Sequence, residues 1–280
     1  MTRSAPTGRV LAGLTLVLAI AGCGDAGAPA TDPASFKGQP PKVRVHMISR
    51  DLSRMIGERG YAELIESLEQ QERLETNARL QQRVEVIANR LVQQAIQAYP
   101  FSQDWSWELR IVKDDEINAS CMPGGKMTLN TGLMALTRMD EHKLATVLGH
   151  EIAHALLEHG RASIGRSAVV LGTLQAMAQS FKMGQLRLNT LVEGMERVTL
   201  PLEREHEREA DLLGMQLMTR AGYDPVRGAS IWVDMKGDEP APRLAQRLEP
   251  YLSSHPTSGE RLTNLTEIAR VLAAPGGTAR

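Results

Sequence analysis

Between Asp140 and Gly160 the chain places apolar residues on most sides of a helical wheel, with Leu144, Val147, Leu148, Ile152 and Leu156 among them. A helix that is apolar nearly all round has to be covered on several faces. This stretch therefore predicts the centre of a layered domain rather than a surface element. Asp140 can cap the helix and Gly160 can stop it. Into this apolar cylinder the sequence sets three ionisable residues, His150, Glu151 and His154. Buried polar groups need partners, so the layers around the helix must supply them or leave a cleft beside them.

The neighbouring segments supply those layers. Helical periodicity predicts helices over 51–71 and 76–97; Leu80, Val84, Ile87, Leu91 and Val92 line the second, and Pro100 closes it. Trp105, Trp107, Leu109 and Ile111 alternate with polar residues as in a half-buried strand. Two more short strands are expected over 117–121 and 127–131, joined by the turn residues Pro123-Gly124-Gly125. A helix over 203–221 follows Pro201 and is ended by Gly222 and Asp224-Pro225. The last helix starts near Thr257, which with Glu260 forms a capping box, and carries Leu262, Leu265, Ile268 and Leu272. The Met-rich stretch 163–199, interrupted by Gly172, Gly184 and Gly194, reads either as broken helices over a groove or as ordinary core helices. Together these elements predict an α+β fold that is predominantly α-helical with a small β-sheet.

With a formal net charge of -1 the chain has no basic excess to neutralise phosphates, which argues against nucleic acid as a partner. Its first residues read as a targeting segment: Arg3 and Arg9, then an apolar run over 10–21. Ile20-Ala21-Gly22-Cys23 resembles the bacterial lipoprotein processing box, in which the cysteine becomes the lipidated N-terminus. An ordinary cleaved signal with an incidental cysteine is the alternative. Gly24 after the cysteine favours the outer membrane, facing the periplasm, while Asp25 weighs the other way. The expected organisation is thus a signal peptide over 1–22, a flexible Ala/Gly/Pro/Asp-rich tether over 23–45 and one domain over 46–280. If Cys23 carries lipid, Cys121 has no partner in the chain and reads as a small buried hydrophobe, with a catalytic thiol the minor alternative.

His150 and His154 are four residues apart, so a helix turns both imidazoles to one face, where they can share a metal ion. Glu151, about 100° further round, stands beside that ion and can take a proton from water. A catalytic zinc, one per chain, needs a third protein ligand and an open position. Glu207 is the candidate, with Asp211 one turn on to orient a ligand histidine. Taken alone, the segment around Glu207 would be a charged surface helix. Glu205 and Glu209 read as solvated, and His206 is a rival ligand. His159 fits the dipole at a helix end and needs no catalytic role. His46 and His142 carry no signal.

Four motifs share one pattern: Asn118-Ala119 with Met122-Pro123-Gly124-Gly125-Lys126; Thr131-Gly132-Leu133; His150 to His154 with His159-Gly160; and Arg204-x-x-Glu207-x-Glu209-Ala210-Asp211-x-x-Gly214. A fifth, His255-Pro256 with Arg261, lies near the C-terminus. From 51 to 272 the chain resembles the HtpX and CAAX-prenyl endopeptidase type of zinc metallopeptidases, particularly their small periplasmic lipoprotein branch. The resemblance implies a zincin-type domain with His150, His154 and Glu207 on zinc, Glu151 as base and Asp211 behind a ligand. It also implies that the strand at Asn118 and Ala119 pairs with an extended substrate. His255 would approach the metal and Arg261 would help stabilise the oxyanion. From the residues alone, His255-Pro256 is also a common turn and Arg261 a plausible surface cation. The implied substrates are unfolded or misassembled envelope proteins, with the outer-membrane assembly machinery as a partner. The rival class is a chaperone-like assembly factor whose zinc site is latent or structural.

Overall fold

The computed structural model describes residues 46–165, 185–236, 242–255 and 259–274, with side chains in all of these except 185–202 and 259–260. The expected signal segment, Cys23 and the tether lie outside the described residues, as do Thr257 and much of the 163–199 stretch. Helices α1 (Arg50–Gln70) and α2 (Ala78–Ala98) lead into strands β1 (Glu108–Val112), β2 (Ala119–Met122) and β3 (Lys126–Asn130). Then come α3 (Thr131–Leu136), α4 (Glu141–Leu156), α5 (Gln185–Arg220), α6 (Pro225–Ala229), α7 (Ile231–Lys236), α8 (Pro242–Ser254) and α9 (Gly259–Ala273). The fold is α+β and mostly helical, with one small mixed sheet.

Helix α4 occupies the middle of the core. Asp140 caps it, accepting from the backbone N–H groups of His142 (2.9 Å) and Lys143 (3.4 Å). Leu144, Val147, Leu148 and Ile152 are wholly buried against α2, α5, α6 and β2. In the sheet, β3 runs parallel to β1 on one side and antiparallel to β2 on the other. That order leaves β2 at an edge, alongside α4. The turn from β2 to β3 puts Gly124 (φ 93°) and Gly125 (φ 78°) in the left-handed region, where a Cβ would be strained.

Several boundaries differ from those the sequence suggests. Trp105 and Trp107 precede β1 instead of belonging to it. A 3₁₀ turn over Pro100–Asp104 holds them, and the Trp107 indole N–H donates to the Ser102 carbonyl at 3.0 Å. Helix α4 stops at Leu156 rather than running to His159, because Glu158 takes a left-handed conformation (φ 58°). Gly160 then lies inside a new helical stretch over 159–165. Helix α5 passes through both Gly194 and Pro201. The proline forgoes one backbone hydrogen bond there. Helices α7 and α8 go unmarked in the sequence reading; α7 is too short to show a period, whereas α8 sets Leu244, Leu248, Tyr251 and Leu252 at helical spacing despite Pro250 inside it.

What positions the site is the crossing of α4 over α5. A Cβ on Gly214 would lie 2.7 Å from the backbone nitrogen of His150 and 2.8 Å from the carbonyl carbon of Gly149. A glycine inside a helix costs about 1 kcal/mol relative to alanine. Here two of them let the backbones touch, one residue before His150 and one turn beyond Asp211. Any side chain at the crossing would push the two halves of the site apart.

Candidate metal centre

From α4 come His150 and His154, from α5 Glu207, and from just past α8 His255. Their donor atoms all lie within 4.8 Å of one another. The Nε2 atoms of His150 and His154 are 3.0 Å apart, and Glu207 Oε1 is 3.2 Å from His154 Nε2 and 3.1 Å from His255 Nδ1. His255 Nδ1 is in turn 3.3 Å from His150 Nε2.

The surroundings fix what these atoms offer. Asp211 Oδ1 lies 2.9 Å from His150 Nδ1, which makes that nitrogen the donor and turns the lone pair of Nε2 inward. His154 Nδ1 is 2.9 Å from Nδ1 of His159, whose Nε2 is 3.2 Å from Glu209 Oε2. The consistent tautomers have His154 donating from Nδ1, and His159 accepting there and donating from Nε2 to Glu209. The Nε2 lone pair of His154 then also faces inward. Two imidazole lone pairs and a carboxylate converging at about 3 Å repel one another unless a cation sits among them. Histidine nitrogens with one carboxylate are the donor set that suits zinc.

Charge reinforces the arrangement. Arg261 on α9 grips Asp211 with two nitrogens (2.7 and 2.8 Å) and reaches Glu207 Oε2 with a third at 2.6 Å. The Trp232 ring of α7 covers its guanidinium at 4.4 Å. Burial alone would raise the Asp211 carboxyl, but the hydrogen bond to His150 and the Arg261 charge hold it well below the usual carboxylate range. Glu207 is held down against its own burial by hydrogen bonds to His150, His154 and His255. For the His150 imidazole, burial acts downward, yet hydrogen bonds to Asp211 and Glu207 outweigh it and hold the ring up to about 9. Burial, and then the neighbouring His150 charge, push His154 down, which favours the neutral ring a metal needs.

Glu151 is buried beside this cluster, with Oε1 3.4 Å from His255 Nε2. Asn118 and Ala119 stand at the start of β2, whereas the residues of that strand that reach the cleft beside Glu151 are Ser120, Cys121 and Met122. Burial pushes the Cys121 thiol up, and the Glu151 charge adds to this, so it is an inert neutral group. His206 is outside the donor set and stacks on the His159 ring at 4.1 Å. Sequence reasoning missed His159 and Glu209. Glu209, expected to be solvated, is half-buried and bonded to His159. The five-residue spacing from His154 to His159 was the available signal, but it points inward only because of the turn at Glu158.

Comparisons with known proteins agree with this geometry. The profile of peptidase family M48 matches residues 75–269. The mitochondrial metalloendopeptidase OMA1 of Arabidopsis thaliana is 35% identical over 168 residues, covering 60% of this chain and 32% of that protein. The OMA1 metalloendopeptidase of Bos taurus is 30% identical over 238 residues, 81% of this chain and 44% of its own length. The beta-barrel assembly-enhancing protease of Escherichia coli is 28% identical over 162 residues, 55% of this chain and 32% of its own. The chain thus spans less than half the length of each of these relatives. On the family match and the donor set together, the chain belongs to peptidase family M48, whose members are zinc metallopeptidases, and the cluster of His150, His154, Glu207 and His255 is able to hold such an ion.

Proposed function

We propose that the chain is a zinc-dependent endopeptidase that cuts unfolded or misassembled proteins of the cell envelope. The observation that carries this reading is Glu151, set between two ligand histidines on one buried helix. Its Oε1 makes no well-formed hydrogen bond, so a proton acceptor stands ready next to the metal ligands. When bound there, zinc supplies Lewis acidity that acidifies water and polarises the scissile carbonyl. Glu151 takes the proton of the attacking water and returns it to the leaving amine. Asp211 and the Glu209–His159 pair keep the ligand histidines in register, while Arg261 holds Asp211 and Glu207 in place. The three guanidinium nitrogens are turned to these carboxylates, which favours a holding role for Arg261 over one at the oxyanion. Glu151→Gln should abolish chelator-sensitive cleavage of an unfolded protein such as casein while zinc content stays near one per chain. Full activity in that variant would refute the mechanism.

A catalytic zinc keeps a position open for water, and His255 stands as a fourth donor beside His150, His154 and Glu207. If His255 competes with water for the ion, His255→Ala should raise basal cleavage several-fold. A fall in activity with intact zinc content would instead assign His255 to the transition state. The same closed ring supports a second reading, an assembly factor of chaperone type with a latent site. Rescue of envelope defects in a deletion strain by Glu151→Gln would favour it. The finer placement, with the HtpX and CAAX-prenyl endopeptidase type and its periplasmic lipoprotein branch, rests on the motif spacing and on the box ending at Cys23. In this proposal the lipid on Cys23 anchors the enzyme to the outer membrane. Relatives named beta-barrel assembly-enhancing protease support that compartment, while the OMA1 relatives are named as mitochondrial.

A further inference from the structure

A cavity of about 220 Å³ opens directly on Glu151, His154 and His255 and runs from there to helix α1. It is large enough for one side chain rather than for a drug-sized ligand. Trp105, Met122, Pro123 and Ala155 provide apolar walls along its length. Its far end is different, because Ser53 and Arg54 of α1 line it together with Arg50 and Arg161.

Two features of that end lack partners. Ser53 is only 3% exposed, and its hydroxyl has no hydrogen-bond partner. A buried hydroxyl left that way is destabilising, and a ligand atom would supply the missing partner. Arg54 has no ion-pair partner among the described residues. Its neighbours are engaged: Glu158 takes Arg50 at 2.7 Å and Arg161 at 3.1 Å. Arg54 is thus the arginine of this cavity that no carboxylate holds among the described residues. An arginine and a hydroxyl together are complementary to a carboxylate.

We propose that this cavity is a specificity pocket for an acidic substrate side chain, held by Arg54 and Ser53, next to the scissile bond. A glutamate suits it best, with its methylenes against Trp105 and Met122 and its carboxylate at Arg54. The inference rests on the endopeptidase reading of the site and adds a preference to it. It is tested on the zinc-loaded protein with end-blocked peptides that carry Glu, Gln, Leu or Lys at each position flanking the cut.

At one of those positions kcat/KM should be about tenfold higher for Glu than for Gln. Arg54→Gln should level the two, Arg54→Glu should turn the preference to Lys, and Ser53→Ala should reduce the preference for Glu. Equal cleavage of the Glu and Gln peptides overturns the proposal, as does a preference that survives Arg54→Glu. So does selectivity that appears only when the acidic group is a free C-terminus. If the protein cleaves no peptide at all, the endopeptidase reading fails separately. Binding of the same peptides to zinc-loaded Glu151→Gln then decides the pocket. Tighter binding of the Glu peptide that is lost with Arg54→Glu added upholds it, and equal binding refutes it.

Discussion

His154 owes its orientation to a relay of two residues that the bare zinc motif does not contain. His150 is aimed by a carboxylate in direct contact, Asp211, whereas His154 is aimed through an intervening imidazole, His159, by Glu209. Outer partners of this kind are worth about 10–100-fold in metal affinity. His159→Phe keeps the ring volume but removes the acceptor for His154. It should weaken zinc binding by about that factor in a chelator competition, with the fold intact by circular dichroism. Glu209→Ala should move in the same direction by less, since His159 would keep its place beside His154. Unchanged zinc affinity in both variants would show that the relay does not position the ligand.

At the level of elements, α1 is tied to the end of α4 by Glu158, which receives Arg50, Arg161 and the nearby His46. Burial would raise the Glu158 carboxyl, but the hydrogen bond from Arg50 and the charges of Arg50 and Arg161 hold it below its ordinary value. A carboxyl depressed by folding adds stability above its unfolded pKa and loses it as the pH falls through the folded value. Glu158→Gln should therefore cost about 1–3 kcal/mol in urea unfolding at neutral pH. The gap from wild type should narrow as the pH falls below the ordinary glutamate range and through the lower folded value, and a gap of constant size at acid pH would contradict the linkage. Glu158 also shows why part of the architecture was hidden from the sequence. Helices α2 and α4 were legible because their apolar residues repeat at helical spacing, and Asp140 caps α4 where a short polar side chain should. Helix α1 formed where expected although it buries Ser53 and Gly57 and leaves Leu52, Met55 and Ile56 exposed, and Asp224, read as the end of one helix, also caps the next. A glutamate in a left-handed conformation leaves no such trace, so the early stop of α4 and the inward turn of His159 went unread. Short helices such as α7 owe their existence to packing, as Trp232 over Arg261 shows, rather than to a periodic pattern. The convergence of His150 and His154 was legible for the opposite reason, since the four-residue spacing on a helix leaves the imidazoles one geometry.

For the whole molecule, the donors are drawn from three distant stretches of chain, and Arg261, which binds two of the site's carboxylates, lies 111 residues beyond His150. The described residues hold one cysteine, Cys121, and it is unpaired. Chains that work in oxidising surroundings commonly gain strength from disulfides that close long loops. An ion held by His150, His154, Glu207 and His255 would close loops of comparable length, so the metal would act as a removable staple as well as a reagent. At a free zinc concentration about a thousandfold above its dissociation constant, such a staple contributes about 4 kcal/mol. Chelation should then lower the melting temperature by roughly 10 °C, and readdition of zinc should restore it. The hardware for cutting and the fastening that keeps the domain folded are in that case one object. A cell that starves this protein of zinc would lose the protein along with its activity.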